Sequence, residues 1–405
     1  MPARQGAHAN GPSPRAGEAL SKRKAQPSGA EPMPQTDERV NAGAATPLLH
    51  WSAAFLPELD RIGGGTDARV YRAFTRLGCE ARALKIARHN VDAEALVREA
   101  RVLEQLQGHP HIVKYFGAFT AGDSAPAHAR GNSAIALELC AETLQSFLVR
   151  QNGRRLTDTL FQRLAPQLLE AARFMHGKGV IHRDIKPANA LVTNDHEGGI
   201  RLVLSDFGRA RDLAMARGTR ICRKRVCTDA GVSLSREFPL TPGVCTVVYS
   251  APEITLGPRW DGRLVPDDVA FGGRPEAQAQ SEAPAIAYGA AVDIWSLGAV
   301  FFEMLSGSRF AQGSERSDIV NAIRARIGLP SSIETPHGPV AHAHGRVSVT
   351  LEEVIEQRPC PAWPDVRKML SWASEQRPAA AEILRSSWAL APRPPTSPED
   401  PKRYT

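Results

Sequence analysis

No run of about 18 apolar residues occurs anywhere in the 405-residue sequence, which excludes a membrane-spanning helix, and no membrane partner is expected. The first thirty residues also lack a continuous apolar core, so no secretory signal is expected there, and Glu18 and Glu31 argue against an organelle transit peptide. Cysteine is scarce. Cys79, Cys140, Cys222, Cys227, Cys245 and Cys360 form no CxxC pair and no Cys/His zinc spacing. In a chain of this length they read as reduced thiols, which places the protein in cytoplasm or nucleus. No internal repeat is found. What the sequence does have is 42% apolar residues, enough to bury a full core and to exclude global disorder. Its formal charge of +7 suits an anionic partner, or equally a few basic loops.

Both ends are low in complexity. Residues 1–50 (GPSPRAG, KAQPSGAEPMPQ) carry too few large apolar side chains to offset the entropy of ordering, so a disordered tail is expected. Within it, Lys22-Arg23-Lys24 reads as a nuclear-import fragment or, more simply, a solvated charge cluster. The Pro-rich residues 391–405 are read as a second disordered tail. Between them, 55–390, the pattern splits. Residues 55–140 show short β-branched or aromatic runs, interrupted by one helical stretch with apolar residues at Ala93, Leu96, Val97, Ala100, Leu103 and Leu106. From 141 to 390 helical patterns dominate; Pro166 is expected to kink or break the first long one. Residues 212–240 and 258–284 lack periodicity and read as surface insertions, the first strongly basic. Cys222 and Cys227 lie in it without a histidine nearby, so a metal reading is not favoured.

Three constellations carry chemistry. Ile62-Gly63-Gly64-Gly65-Thr66 opens the first half: such glycines let backbone amides approach phosphate oxygens, though alone they also make an ordinary hairpin turn. Lys85 stands mid-strand between apolar neighbours, either exposed or a point charge for a nucleotide's phosphates, and Glu99 on the following helix could hold its ammonium. The strongest signal is His182-Arg183-Asp184-Ile185-Lys186-Pro187-Ala188-Asn189, followed after a hairpin by Asp206-Phe207-Gly208. A base for a hydroxyl, a cation for a moving phosphoryl group and two oxygen donors for Mg²⁺ are what phosphoryl transfer needs.

These motifs resemble the eukaryotic protein kinase family, over roughly residues 55–390. The resemblance implies an α+β, bilobal fold, with a small β-rich N-lobe containing one helix, a hinge near 138–143 and a larger, mainly helical C-lobe. It implies ATP and Mg²⁺ as cofactors and protein substrates as partners, and no nucleic acid. Asp184 matches the catalytic aspartate, Lys186 the lysine on the γ-phosphate of serine/threonine kinases, Asn189 and Asp206 the metal ligands, and Lys85 and Glu99 the strand–helix ion pair. Ile62, Val70, Ala83 and Leu191 would sandwich adenine, Leu137 would be the gatekeeper, and Glu138 and Cys140 would pair with its edge through their backbones. Thr246 would contact Asp184 and Lys186, Glu253 would pair with Arg377, and Asp293 would support the catalytic loop.

Within the family the chain is most similar to cyclin-dependent kinases of the CMGC group, which admits a cyclin-like activating subunit. Arg98, Arg183 and Arg211 fall where that subfamily gathers a phosphothreonine, and Thr241 is the matching acceptor. There are departures. DAEALVRE keeps only the end of the cyclin-contacting signature, Asp67 replaces an inhibitory tyrosine, and Ser250 replaces an arginine of proline-directed kinases. Two other readings stay open: a kinase of the origin-firing cell-division-cycle type, and a catalytically silent kinase-fold scaffold.

Overall fold

A computed structural model of the chain describes residues 54–56, 58–65, 68–88, 93–120, 133–195, 199–212, 247–256, 289–313, 316–328 and 349–390, with the strand backbones Leu49–His50, Val226–Thr228 and Gly231–Ser233. All of these belong to the compact unit Pro47–Thr405. Both tails and most of the two insertions lie outside the described residues, as do Thr66, Thr241 and Thr246.

The strand-rich half forms one six-stranded sheet from β1 (Leu49–His50), β2 (Asp60–Gly64), β3 (Ala68–Phe74), β4 (Ala81–Ala87), β5 (Tyr115–Thr120) and β6 (Ser133–Glu138), in the order β1-β5-β6-β4-β3-β2. All neighbours are antiparallel except β1 and β5. Strand parity sorts its side chains. Tyr71, Ala73, Leu84, Ile86, Ala134 and Ala136 gather with Phe55 and Phe119 into a small core on one face. Val70, Ala83, Ile135 and Leu137 point to the other face and join the main core. Helix α1 (Ala93–Gln105) adds Leu96, Ala100 and Leu103 to that core, with Leu106 just beyond its end. Lys85, two residues from Ala83 on the same strand, shares their parity. It therefore faces the inside rather than water.

In the larger half, β7 (Glu142–Thr143), α2 (Leu144–Arg150) and α3 (Asp158–Gly177) are followed by β8 (Val180–Ile181), β9 (Ala190–Asn194), β10 (Ile200–Leu204) and β11 (Arg211–Asp212). Thr157 caps α3 by accepting from the Leu160 amide at 3.3 Å. Of the kink or break expected at Pro166, the break does not occur: α3 runs for 20 residues through it. Ten buried residues of α3, Pro166 among them, are packed into the core, and that burial offsets the roughly 3 kcal/mol an interior proline costs a helix. In the basic insertion read as plain surface loop, Val226–Thr228 and Gly231–Ser233 pair as short antiparallel strands, β12 and β13.

The remaining helices are α4 (Pro252–Leu256), α5 (Ala291–Ser306), α6 (Arg316–Ile327), α7 (Leu351–Gln357), α8 (Trp363–Met369), α9 (Ala380–Ile383) and α10 (Ser387–Leu390). Helix α5 is buried on every side from Val292 to Leu305, as a helix apolar all round must be. It ends at Gly307 in the left-handed region (φ +77°), where a Cβ would collide with the Gly153 carbonyl oxygen.

Two strand pairings position the chemistry. β9 pairs with β10 (Ala190 opposite Leu204), and β8 pairs with β11 (Ile181 opposite Arg211). The loop 182–189 runs from β8 to β9, and the loop 205–210 runs from β10 to β11. Each loop is therefore pinned at both ends beside the other.

Candidate active site

Lys85 lies at the meeting point of the sheet, α1 and the 205–210 loop. Its Nζ donates to both Glu99 oxygens at 2.8 Å and to Asp206 Oδ1 at 2.6 Å. Glu99 is buried, 3% exposed, on the inward face of α1. Burial alone would lower the Lys85 pKa, but the Glu99 and Asp206 carboxylates together outweigh it and hold the ammonium above the ordinary lysine range. Burial raises Glu99 above the usual carboxylate range, against the pull of Lys85. Asp206 goes the other way. Partial enclosure opposes ionisation, yet the Lys85 charge and hydrogen bond dominate and bring it down to about 2. Asp206 is thus a carboxylate at any physiological pH, and its side chain is still 46% exposed.

The facing loop is organised around Asp184, which is buried. Its Oδ2 accepts from Lys186 Nζ at 2.8 Å and from Asn189 Nδ2 at 3.1 Å, and Asn189 Nδ2 also donates to the Asp184 carbonyl at 2.9 Å. Both donors thus fall on one oxygen, and Oδ1 takes no hydrogen bond among the described residues. The Ser205 amide and hydroxyl both donate to the Asn189 carbonyl, at 2.9 and 3.0 Å, tying the two loops together one residue before Asp206.

This loop is suspended from α5. Asp293, fully buried, accepts from the His182 amide at 2.9 Å and the Arg183 amide at 2.8 Å. It also bonds the His176 ring at 2.9 Å. Burial pushes the Asp293 carboxyl up, but the His176 bond and charge, aided by His182, hold it below its ordinary value. The strained Arg183 backbone (φ +67°) is held by these bonds, and its Nε donates to the Arg209 carbonyl at 2.7 Å. Further away, Arg377 grips Glu253 through two bonds of 2.6 and 2.9 Å, entirely out of water, with its guanidinium 5.0 Å from the Trp295 ring centre.

Among the adenine candidates, Ala83 and Leu137 are buried and opposite each other in the β4–β6 register. Val70 and Leu191 are partly buried against the same core, and Ile62 is 49% exposed at the rim. Cys140 lies past the end of β6; burial first and then the Glu138 charge push its thiol up to about 12, so it is no nucleophile. Gly63 and Gly65 have open space where a Cβ would sit. Of the three arginines expected at a phosphothreonine, Arg98 is exposed on α1, Arg211 is exposed opposite Ile181, and Arg183 is half-buried. Thr66, Thr241 and Thr246 lie outside the described residues.

Three contributors are not apparent from the motifs. Arg201 on β10 pairs with the Glu138 carboxylate and donates to the Pro110 carbonyl at 2.6 Å, anchoring the end of β6 from behind. His176 is a third donor to Asp293. Arg209, one residue beyond Gly208, brings its Nε to 3.8 Å from Asp184 Oδ2. A charged residue directly after Asp206-Phe207-Gly208 was the available signal for the last of these.

The donor set fits a magnesium nucleotide. Asp206 offers an ionised, accessible carboxylate, and Asn189 keeps its Oδ1 clear of hydrogen bonds among the described residues. Magnesium is typically held by one or two protein oxygens and completed by phosphates and water. No group of three or more His, Cys, Asp or Glu among the described residues could hold a metal by itself. No described helix is long and apolar enough to cross a membrane.

Comparison with known proteins agrees with this geometry. The protein kinase domain model matches residues 56–264. Mitogen-activated protein kinase 15 of Rattus norvegicus is 28% identical over 345 residues, covering 80% of this chain and 52% of that protein. A protein of Oryza sativa subsp. japonica provisionally named cyclin-dependent kinase F-2 is 27% identical over 345 residues, covering 82% of this chain and 88% of its own. Serine/threonine-protein kinase SSK22 of Saccharomyces cerevisiae is 32% identical over 254 residues, 61% of this chain and 16% of that protein. The chain spans 52–58% of the length of the mitogen-activated protein kinase 15 sequences it matches in rat, worm and mouse. With more than half of its residues inside that one model, the α+β chain whose two loops meet at Asp184 and Asp206 belongs to the protein kinase family.

Proposed function

We propose that this protein is an ATP-dependent kinase that transfers the γ-phosphoryl group to serine or threonine hydroxyls of protein substrates. The observation that carries this reading is the division of labour at Asp184: Lys186 and Asn189 occupy Oδ2 and leave Oδ1 for the acceptor hydroxyl. Lys186 supports the serine/threonine choice, since tyrosine kinases usually lack it. Asn189 and Asp206 would hold Mg²⁺, which would neutralise charge on the phosphates. Lys85, fixed by Glu99, would hold the α and β phosphates, and Ile62, Val70, Ala83, Leu137 and Leu191 would enclose adenine. The chain's own contribution is positioning and charge: a fixed carboxylate, a fixed ammonium and pre-aligned loops.

Asp184→Asn tests the reading. Phosphate transfer to a generic basic protein should fall by at least about a hundredfold, while a fluorescent ATP analogue still binds. Lys85→Met should abolish transfer as well. Undiminished turnover in Asp184→Asn would overturn the role given to Asp184, whereas no transfer by the wild type would favour the scaffold reading.

A cyclin-dependent-kinase-like mode of control is the finer proposal, supported by the positions of Arg98, Arg183 and Arg211 and by the likeness to the rice protein. It places an activating phosphate on Thr241, and Thr241→Ala should then lower turnover about tenfold or more. A need for a dedicated activating subunit, without any effect of Thr241→Ala, would favour the origin-firing type instead. Cytoplasm or nucleus remains the proposed location.

A further inference from the structure

Behind the adenine slot lies an ion pair that takes no part in the roles assigned so far. Arg201 sits in β10, and the strand around it is fixed. The buried Gln167 side chain of α3 accepts from the Leu202 amide at 2.8 Å and donates to the Ile200 carbonyl at 3.3 Å. From this base the Arg201 guanidinium reaches two places. Its Nη2 pairs with the Glu138 carboxylate at the end of β6, and its Nη1 donates to the Pro110 carbonyl, in the loop after α1, at 2.6 Å. Both charged side chains are largely enclosed, Arg201 at 15% exposure and Glu138 at 14%.

Glu138 is held on other sides as well. Its amide donates to the Lys114 carbonyl at 2.9 Å, and the Lys114 amide donates to its second carboxylate oxygen at 3.4 Å. Three residues on, the Ala141 amide donates to the Val192 carbonyl at 3.1 Å. Between these two anchors the Leu139 and Cys140 amides make no hydrogen bond among the described residues. Both residues are part-exposed, so a ligand has access to them. A few convergent backbone groups at the edge of an apolar slot are what orient a ligand in it.

We propose that Arg201 is a positioning residue for base recognition: by neutralising the Glu138 carboxylate it fixes the 138–141 backbone that reads the adenine edge, and so sets the preference for adenine. This rests on the kinase reading above and extends it from the phosphates to the base. Without Arg201 the Glu138 charge would be enclosed and unpaired, which is strongly unfavourable. Its escape toward water would carry the end of β6 with it. Hydrogen bonds weaken steeply on misalignment, so discrimination between bases is the property most exposed to such a shift. Lysine keeps the charge but lacks the fork that spans Glu138 and Pro110 together.

Displacement of a fluorescent ATP analogue from the full chain, by ATP or by inosine triphosphate, tests this. Inosine carries an oxygen in place of the 6-amino group and a proton on N1, so both edge contacts are reversed while sugar and phosphates stay the same. The readout is the ratio of Kd for inosine triphosphate over Kd for ATP. In the wild type it should be about ten or more, the size expected when paired groups are left unmatched. Arg201→Met should lower it at least about threefold, chiefly by weakening ATP, and Arg201→Lys should fall between. In a Glu138→Gln background, Arg201→Met should move the ratio no further, because the charge it neutralises is gone. A wild-type ratio near one overturns the proposal. So does an unchanged ratio in Arg201→Met, including the case where both nucleotides weaken equally, which would make Arg201 a support of the fold alone. Should Arg201→Met fail to fold, Arg201→Lys decides: an unaltered ratio there overturns it. Adenine preference that depends on Arg201 in a protein that transfers no phosphate would sink the kinase reading and leave the role of Arg201 standing.

Discussion

Asp206 shows how much one residue is asked to do. Its backbone is left-handed (φ +60°, ψ +66°), a region that short polar side chains tolerate and branched ones do not. That turn is what aims the carboxylate back at Lys85, 2.6 Å away. The ion pair leaves a signature in pH. An unfolded aspartate titrates near 3.8 and the folded one at about 2. Because the folded value is the lower, the stabilisation is fully present above about pH 4 and is lost as the pH falls toward 2. The side chain is nearly half-exposed, so solvent screening reduces the effect. Comparing melting temperatures of the wild type and Asp206→Asn from pH 6 to 2 should therefore give a gap that is constant down to about pH 4 and then narrows. A gap that stays constant to pH 2 would mean that Lys85 does not hold the Asp206 charge.

At the scale of elements, legibility followed local pattern. Strands β3, β4 and β6 read correctly because alternate residues face two different cores, and α5 because a run as apolar as AVDIWSLGAVFFEML has no face for water. Pro166 misled because propensity is a local quantity, whereas the burial that keeps α3 continuous comes from distant partners such as the Phe301 ring, 5.5 Å from Phe161. The β12–β13 pairing went unseen because three-residue strands carry no measurable period. Gly307 is a test of element joining. Its positive φ and the contact with the Gly153 carbonyl allow no Cβ, so Gly307→Ala should destabilise the fold by about 2 kcal/mol or more. Urea denaturation checks this: an unchanged midpoint would show that the end of α5 can shift away from the 152–154 turn.

Across the whole compact unit, the decisive contacts join residues more than a hundred positions apart, and no local pattern contains them. Glu253 and Arg377 are 124 apart, and Asp293 is 111 from His182. Only a match to a family's spacing could pair them in advance. Arg201, Arg209 and His176 escaped because their partners depend on how β10, the 205–210 loop and α3 are juxtaposed. The two buried acids do different work, and variants can separate it. Arg377→Ala leaves the Glu253 charge buried without its partner, which should cost about 3–5 kcal/mol of stability. The pair does not touch the catalytic loop, so molecules that remain folded should turn over at close to the normal rate. Asp293→Asn keeps the shape but puts an amide opposite two backbone N–H donors and a ring, loosening residues 182–184. A displacement of about 1 Å at Asp184 suffices for a hundredfold loss of kcat. Below the melting range, Asp293→Asn should thus lose kcat about tenfold or more while KM for ATP changes little. If its activity instead falls only in step with the unfolded fraction, as for Arg377→Ala, then α5 supports the fold without setting the geometry of the catalytic loop.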